Sequence, residues 1–596
     1  MSTGHAKLFS IIGIFSVLLL FSWSVYSVHP REYFDAYNDD AIYFTTAKAL
    51  ATGAGYVIPS FPGVLPQTKY PILYPLILSL VWRLDPSFPA NLGLANALSS
   101  FIAAIYLVLA YIFLRRIGAS RTISLAITAA IAIHPWVSFL AGNLLSDPLL
   151  AALMLASAMT ADGMCGDRSN IRLGVLTGLI LGFAMLARTA AIGAIAGIVL
   201  FAMRRRCWRP LVACAVVCAV IVGVATIAIK THAPAYVAAG TGDPPVAFRH
   251  VLTYYSSYVG MWRLSVPDAS VFISMLWSNA RKLMLAPGNY FIMAGFTLPA
   301  NLFTNAMALL VTALAIGGIF RWSSTSEMKA ILYIALGNVP ILLLWNYSFY
   351  DRFLLPFLPL ILLGIVIELR RVFSLLVSTI RSGDKANLIA AVPIALALLG
   401  ILAIAPFNYW DFSRALMIMS EHRRALNRER REAYAWIAQN TPQTARIMAY
   451  EDGIVYLYTG RQAVRPVAIS TDCYYQPERE KCASDFSELG TWAAYAHTQY
   501  FLADSDDLKF EGGRRFRPEV QKHIADLKAR MRKVFVSSGG QVAVYDTTPL
   551  WPTPSADVGR ETTRPYQSTG YLPVISRSIE SWQPYLSGGR QRPSAP

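Results

Sequence analysis

Charge is scarce in this chain: Asp, Glu, Lys and Arg make up 15% of its 596 residues against 55% hydrophobic ones, and the mean hydropathy is +0.44. That balance excludes an ordinary soluble protein of this length and places the chain in the membrane class. Acidic residues are the scarcer sign, 35 against 52 basic ones, leaving a net charge of +17. An excess of that size would suit nucleic acid, but the basic residues stand in short clusters between apolar runs, where they orient a membrane protein instead, so no nucleic-acid partner is expected. Cysteine is sparse too. Cys165, Cys207, Cys214, Cys218, Cys473 and Cys482 form no CxxC pair and no Cys/His cluster of zinc-like spacing, which argues against a metal–thiolate site. The sequence also lacks a GxxxxGK[ST] loop and a strand–GxGxxG–helix unit, so no nucleotide site is expected. Internal repeats are missing as well, which weighs against a transporter or flippase.

Long apolar runs are what the chain does have. A bilayer core takes roughly 20 apolar residues per helix, and cytoplasmic loops collect Lys and Arg. Leu8 to Val28 reads as a retained signal anchor running outward, which makes residues 29–91 an external loop. Within that loop Pro71 to Leu84 is apolar but too short to span, and suits a helix lying in the interface. The expected crossings then follow: Leu92 to Leu114 inward to Arg115, Arg116 and Arg121; Thr122 to Leu140 outward; Leu144 to Ala161 inward. The run Leu173 to Met203 is interrupted by Arg188 and divides into two short helices meeting near the outer surface. That division delivers Arg204, Arg205, Arg206 and Arg209 to the cytoplasm.

Leu211 to Ile229 exits into a second external loop, residues 230–290, with the aromatic stretch Tyr254-Tyr255-Ser256-Ser257-Tyr258. Phe291 to Phe320, Ala330 to Trp345, Phe353 to Ile367 and Leu388 to Ala405 complete about eleven spans of a polytopic α-helical protein. Residues 1–409 are expected to be the membrane domain and 410–548 a small extracytoplasmic α/β domain. In that domain an amphipathic helix carries Tyr434, Trp436 and Ile437, Arg446 to Tyr450 and Gln541 to Tyr545 are strands, and Ile454 to Tyr458 is a helix or a strand. Residues 549–596, rich in Pro, Ser, Gly and Arg, are expected to be disordered. A Cys473–Cys482 disulfide and two free thiols are both open.

The candidate chemistry lies at predicted outer helix ends. Asp39 and Asp40 are adjacent carboxylates just past the first span, where partial burial can tune one of them to take a proton; equally, they can simply cap the helix of Ala41 to Leu50. Lys69 puts a cation at headgroup depth before the interfacial helix. Asp147 begins a span, where the helix dipole alone would favour it. Arg188 sits in the hairpin, facing a cavity, pairing with Asp147 or snorkelling to lipid phosphate. Arg352 stands beside Asp351 at the outer boundary of a later span.

These elements together resemble a known superfamily. Asp39-Asp40 with Tyr43 and the helix of Ala47 to Gly53, Lys69-Tyr70-Pro71, Gly182-Phe183-Ala184-Met185-Leu186-Ala187-Arg188, and Arg352 with Leu354-Leu355-Pro356 and Pro359 look like the GT-C transferases. Among them, the protein O-mannosyltransferases and the aminoarabinose transferases acting on lipid A are the most alike. Ala435-Trp436-Ile437-Ala438-Gln439-Asn440-Thr441-Pro442, continued by Tyr458-Thr459-Gly460-Arg461, resembles the soluble tails of bacterial members. The resemblance implies a glycosyltransferase in a bacterial inner membrane, using a polyprenyl-phosphate-linked sugar as inverting donor and an extracytoplasmic lipid, polysaccharide or protein acceptor. It implies a catalytic carboxylate in the first loop, Asp39 by position where the family has Asp-Glu, with Asp40 the other candidate. Lys69, Arg188 and Arg352 fall where such enzymes contact the donor phosphate, and Asp147 and Tyr43 where they support it. Whether a divalent cation assists is left open. Since all these charges precede residue 409, a transferase is expected to keep them when the tail is deleted.

Overall fold

Apolar helices that pack by small residues set the architecture, and the turns between them set the site. The structure, a computed structural model, describes residues 3–28, 39–166, 169–260, 269–292, 301–326, 328–345, 351–382, 385–466, 489–504, 522 and 525–551. α1 (Thr3–Val28) leans on α5 (Arg121–Ala132) and α6 (Pro135–Gly142) and leaves Leu8, Ile11, Phe15 and Trp23 on the exterior, as a lipid-facing span does. α2 (Asp39–Ala51) and α3 (Leu73–Leu84) pair across a short hairpin, β1 (Val57–Ile58) with β2 (Leu65–Pro66). α4 (Leu92–Arg116) packs on α7 (Asp147–Met164).

Next come α8 (Ile171–Ala187), α9 (Ile192–Arg205) and α10 (Trp208–His232). Gly174 and Gly178 of α8 lie so close to α10 that an added Cβ would sit 2.4 Å from the Pro210 carbonyl and 2.4 Å from that of Cys214. This is the small-residue spacing by which helices associate where no hydrophobic effect drives them together. A disulfide, Cys165–Cys207, ties the end of α7 to the residue before α10.

Five described helices are long and apolar enough to cross a membrane, and the bent pair α5/α6 makes a sixth if it is one span. With several shorter apolar helices, they make a multi-pass membrane protein. The hairpin expected around Arg188 forms, and Pro71 to Leu84 is one short helix. Four sequence expectations need correction. Thr122 to Leu140 is not one straight span: Pro135 cannot continue the ladder of α5, and the chain bends by 62° between α5 and α6. Among the described residues of 230–290 the expected loop contains two helices, α11 (Val246–Ser256) and α12 (Ala269–Ile292). Phe291 to Phe320 is therefore divided, and its second part is α13 (Leu302–Thr325), which packs against α12. After α14 (Ala330–Leu343) and α15 (Leu358–Ser382), the expected last span and the amphipathic helix are one continuous helix, α16 (Lys385–Asn440), 56 residues long.

Beyond it lies a five-stranded sheet in the order β4-β3-β5-β7-β6. β3 (Arg446–Met448) is parallel to β4 (Ala463–Val464) and β5 (Thr498–Asp504), while β6 (Arg532–Val536) and β7 (Val542–Asp546) are antiparallel. Ile454 to Tyr458 is helical, within α17 (Asp452–Thr459), and the short helix α18 (Leu489–Tyr495) precedes β5. The core of this sheet runs without a break into α2, α3 and α11: Ile42, Phe44, Phe248 and Val251 share one buried cluster with Ile447, Val464 and Val544. Cys473, Cys482 and the expected tail beyond Trp551 lie outside the described residues.

Candidate active site

α2 opens with Asp39 and Asp40 in its first turn, where the exposed N–H groups and the helix dipole favour negative charge, and Asp40 Oδ1 accepts the backbone N–H of Ala41 at 2.8 Å. To that extent the capping reading is correct. Asp39, however, reaches across the fold. Its Oδ1 accepts the Tyr70 hydroxyl at 2.6 Å, and its Oδ2 lies 3.1 Å from the Arg352 guanidinium.

Arg352 sits in a 3₁₀ segment, Asp351–Phe357, ahead of α15, and binds Asp147 through two nitrogens at 3.0 and 2.8 Å. Asp147 starts α7 with Pro148 behind it, a favoured helix opening. Arg188 ends α8 in an extended conformation, φ −161° and ψ 134°, which turns its side chain back to Asp147 at 2.8 Å. Asp39, Arg352, Asp147 and Arg188 thus alternate in sign along one buried chain, none more than 9% exposed. Alternation is what lets such charges leave water together, since a buried ion without a counter-ion costs several kcal/mol.

Tyr43, one turn after Asp39, bonds the Ser146 hydroxyl at 3.0 Å, and Arg188 reaches the same hydroxyl at 3.5 Å. Burial above all, against the opposing pull of Arg188, pushes the Tyr43 phenol up to about 12, so it remains a neutral hydrogen-bonding group.

Lys69 stands apart from the alternating chain. Gln67 Oε1 accepts the N–H groups of Lys69 and Tyr70 at 3.1 and 3.2 Å and fixes the turn ahead of α3. The Lys69 ammonium is buried and lies 3.9, 4.8 and 5.1 Å from the ring centres of Tyr254, Tyr258 and Tyr70. Among the described residues it makes no ion pair. Aromatic faces attract a cation but solvate it less well than water does. Burial accordingly lowers its pKa to about 7, with Asp39 raising it and Arg465 lowering it further.

The structure therefore brings six of the seven residues singled out in the sequence into one neighbourhood, while Asp40 accepts the N–H of Ala41 in its own helix and lies near Tyr74. It adds Tyr70, Tyr254 and Tyr258, which stand inside motifs already quoted, Ser146, the neighbour of Asp147, and Arg465, for which the sequence carries no local signal. Among the described residues, no group of three or more His, Cys, Asp or Glu side chains comes together that could hold a metal ion.

Many apolar helices and a buried alternating charge site at the ends of α2, α7 and α8 make this a multi-pass membrane protein with a buried polar site. No protein-family model matches the chain, and no curated protein does. Among solved structures it is similar to apo ArnT from Cupriavidus metallidurans, at 13% identity and a TM-score of 0.52, covering 92% of this chain and 100% of that one. It is also similar to an Archaeoglobus fulgidus oligosaccharyltransferase tethered to an acceptor peptide, at 13% identity and a TM-score of 0.50, covering 90% and 74%. Both are GT-C proteins, and the chain shares their fold.

Proposed function

We propose that this chain is an inverting membrane glycosyltransferase that moves a sugar from a polyprenyl-phosphate carrier to an extracytoplasmic lipid, polysaccharide or protein acceptor. Its chain makes about eleven crossings of an inner membrane, and the sheet domain lies on the outer side with the site. The observation that supports this most is the placing of a carboxylate, Asp39, held by Tyr70 and Arg352, beside a buried ammonium, Lys69, in an aromatic box. The ArnT and oligosaccharyltransferase folds lend it a precedent in glycosyl transfer.

Asp39 takes the proton of the acceptor hydroxyl or amine as that atom bonds to the anomeric carbon. The bond from that carbon to the carrier's phosphate oxygen breaks, and its electron pair stays on the phosphate. Lys69 meets the growing phosphate charge in a water-poor site, where a preset cation is worth most. Arg352 and Arg188 add to the positive field from the far side of Asp39 while Asp147 fixes their positions; Arg352 also aims the Asp39 carboxylate.

Purified protein in liposomes with a polyprenyl-phosphate sugar tests the reading through release of carrier phosphate. Asp39→Asn is expected to lower turnover by roughly 10²- to 10⁴-fold with carrier binding little changed, because Arg352 keeps Asp147 as counter-ion. Loss on Asp40→Asn alone moves the base to Asp40, and normal turnover in both variants removes the proposal.

A further inference from the structure

The residue before Asp147 is a serine, a type that ordinarily caps a helix by accepting a backbone N–H of its first turn. Ser146 does not cap. Its backbone lies in the right-handed helical region, φ −77° and ψ −2°, and its hydroxyl makes no capping bond to α7. It is turned across the fold instead, to the Tyr43 hydroxyl of α2 at 3.0 Å. Arg188, held by Asp147 at 2.8 Å and with its guanidinium carbon 5.0 Å from the centre of the Phe353 ring, reaches the same serine oxygen at 3.5 Å. The Tyr43 ring lies 4.8 Å from that of Tyr70, whose hydroxyl holds Asp39. Two buried hydroxyls thus stand within the charge site.

Their protons can be counted whichever way the pair is turned. Each hydroxyl carries one proton, and a guanidinium can only donate, so Arg188 occupies a lone pair of the Ser146 oxygen and offers no acceptor. One hydroxyl proton makes the Tyr43–Ser146 bond, and the other has no acceptor among the described residues. Donation from Arg188 draws electron density from the Ser146 oxygen and strengthens its O–H as a donor. That favours Ser146 giving its proton to Tyr43, which keeps its own for a third oxygen. The surrounding charges say what kind of oxygen suits. Arg188 and Arg352 are matched by Asp147 and Asp39, so this alternating chain brings no excess charge for an anion. The excess positive charge stands on Lys69, among Tyr70, Tyr254 and Tyr258. A neutral oxygen, such as a sugar hydroxyl or ring ether, fits the phenol.

We propose that Ser146 is a positioning residue, which sets the Tyr43 phenol to donate a hydrogen bond to an oxygen of the sugar carried by the lipid donor. This rests on the reading of the chain as a polyprenyl-phosphate-dependent transferase, and it divides the labour of the site: Lys69 meets the phosphate and Tyr43 the sugar. No bond to that sugar oxygen changes in the reaction, so the contact binds and orients, and proton transfer stays with Asp39.

The test uses the full chain in nanodiscs with two probes: polyprenyl phosphate, and the polyprenyl-phosphate sugar that the wild type binds most tightly from a panel of pentoses and hexoses. Ser146→Ala, which removes no helix cap, is expected to weaken binding of the sugar-linked lipid by roughly three- to tenfold, the worth of one neutral hydrogen bond, and to leave polyprenyl phosphate within about twofold. Tyr43→Phe should lose the same preference, and the double variant Tyr43→Phe/Ser146→Ala should bind no worse than Tyr43→Phe, because both changes break one chain of hydrogen bonds. Ser146→Thr, which keeps the hydroxyl, should restore most of the loss. Equal weakening of both lipids overturns the proposal, since it would mark a structural or phosphate-binding role. Additive losses in the double variant overturn it too, as does an unaltered preference in Ser146→Ala. Should Ser146→Ala fail to fold, Ser146→Cys, close in shape but a weak donor and acceptor, takes its place with the same expected loss. Failure of the underlying reading is separately visible, as a wild-type protein that binds neither polyprenyl phosphate nor any of its sugar-linked forms.

Discussion

At the scale of single residues, Asp147 carries the charge balance, because Arg188 and Arg352 both bond to its Oδ2. Asp147→Asn leaves two buried guanidiniums with Asp39 as the remaining carboxylate of the alternating chain. Removing one partner of a buried pair costs about 3–5 kcal/mol, so the unfolding midpoint in detergent should fall clearly; an unchanged midpoint would show that water reaches these groups. Lys69 gives a pH signature. Its pKa of about 7 lies below the ordinary 10.5, so the penalty for burying it is fully present below pH 7, where the ammonium is charged in both folded and unfolded states. That penalty disappears as pH rises toward 10.5, and the contribution of Lys69 to stability increases across this window. The proposed phosphate binding runs the other way. The groups facing Lys69 are Asp39, Arg465 and the phenols of Tyr70, Tyr254 and Tyr258, and the ammonium is the one that loses charge near neutrality. Donor KM should therefore rise above about pH 7 in the wild type, while Lys69→Arg, charged throughout, should flatten the profile.

At the scale of elements, the α8/α9 hairpin positions Arg188, and the contact of α8 with α10 positions the hairpin. Gly178→Leu would press side-chain carbons into the Cys214 carbonyl region, where even a Cβ has only 2.4 Å, and the helices would have to separate. The expected result is a drop in folded yield and in melting temperature, with transfer activity lost in whatever folds, whereas Gly223→Leu, on open space along α10, should be tolerated. Thermal unfolding and fluorescence-detected size exclusion would report both. This hairpin was legible in the sequence because an arginine in an apolar run demands an aqueous or paired end. The bend at Pro135 was less so, since proline in an apolar run is compatible with a kink inside a span as well as with a break. The continuity of α16 was hidden for a different reason. Its composition changes from apolar to charged near Asp411, and that change reads as a domain boundary although helical hydrogen bonding runs on through it.

At the scale of the molecule, the basic cluster and the site lie at opposite ends of α9. Fourteen residues of helix, about 21 Å, separate the turn holding Arg188 from Arg204 and Arg205. Reporter fusions should accordingly place the loop at Gly53 and the turn at Arg206 on opposite sides of the membrane, outside and inside respectively. Identical labelling of both would break the topology and the mechanism with it. The sheet domain is tied to the first loop by the Gln462 and Ala463 hydrogen bonds and by a common core. Deleting it therefore does more than remove a tail: the charges expected from sequence are kept, but Arg465, which lies against Tyr254, and the core packed on α2, α3 and α11 are lost.

Composition, run length and the spacing of basic clusters by themselves determined the membrane class and the helical architecture, and charges at predicted helix ends, with the family resemblance, made Asp39, Lys69, Asp147, Arg188 and Arg352 the candidates. Hydrocarbon tolerates few charges, so each one that stays among apolar runs is informative where it stands. Only the tertiary structure decided the partners: that Arg352 links Asp39 to Asp147, that Lys69 lies among Tyr70, Tyr254 and Tyr258, and that Arg465 shares Tyr254 with it. Arg352 lies 313 positions from Asp39 in the chain, and no local pattern of residues can encode a contact that chain reversal and helix packing bring about.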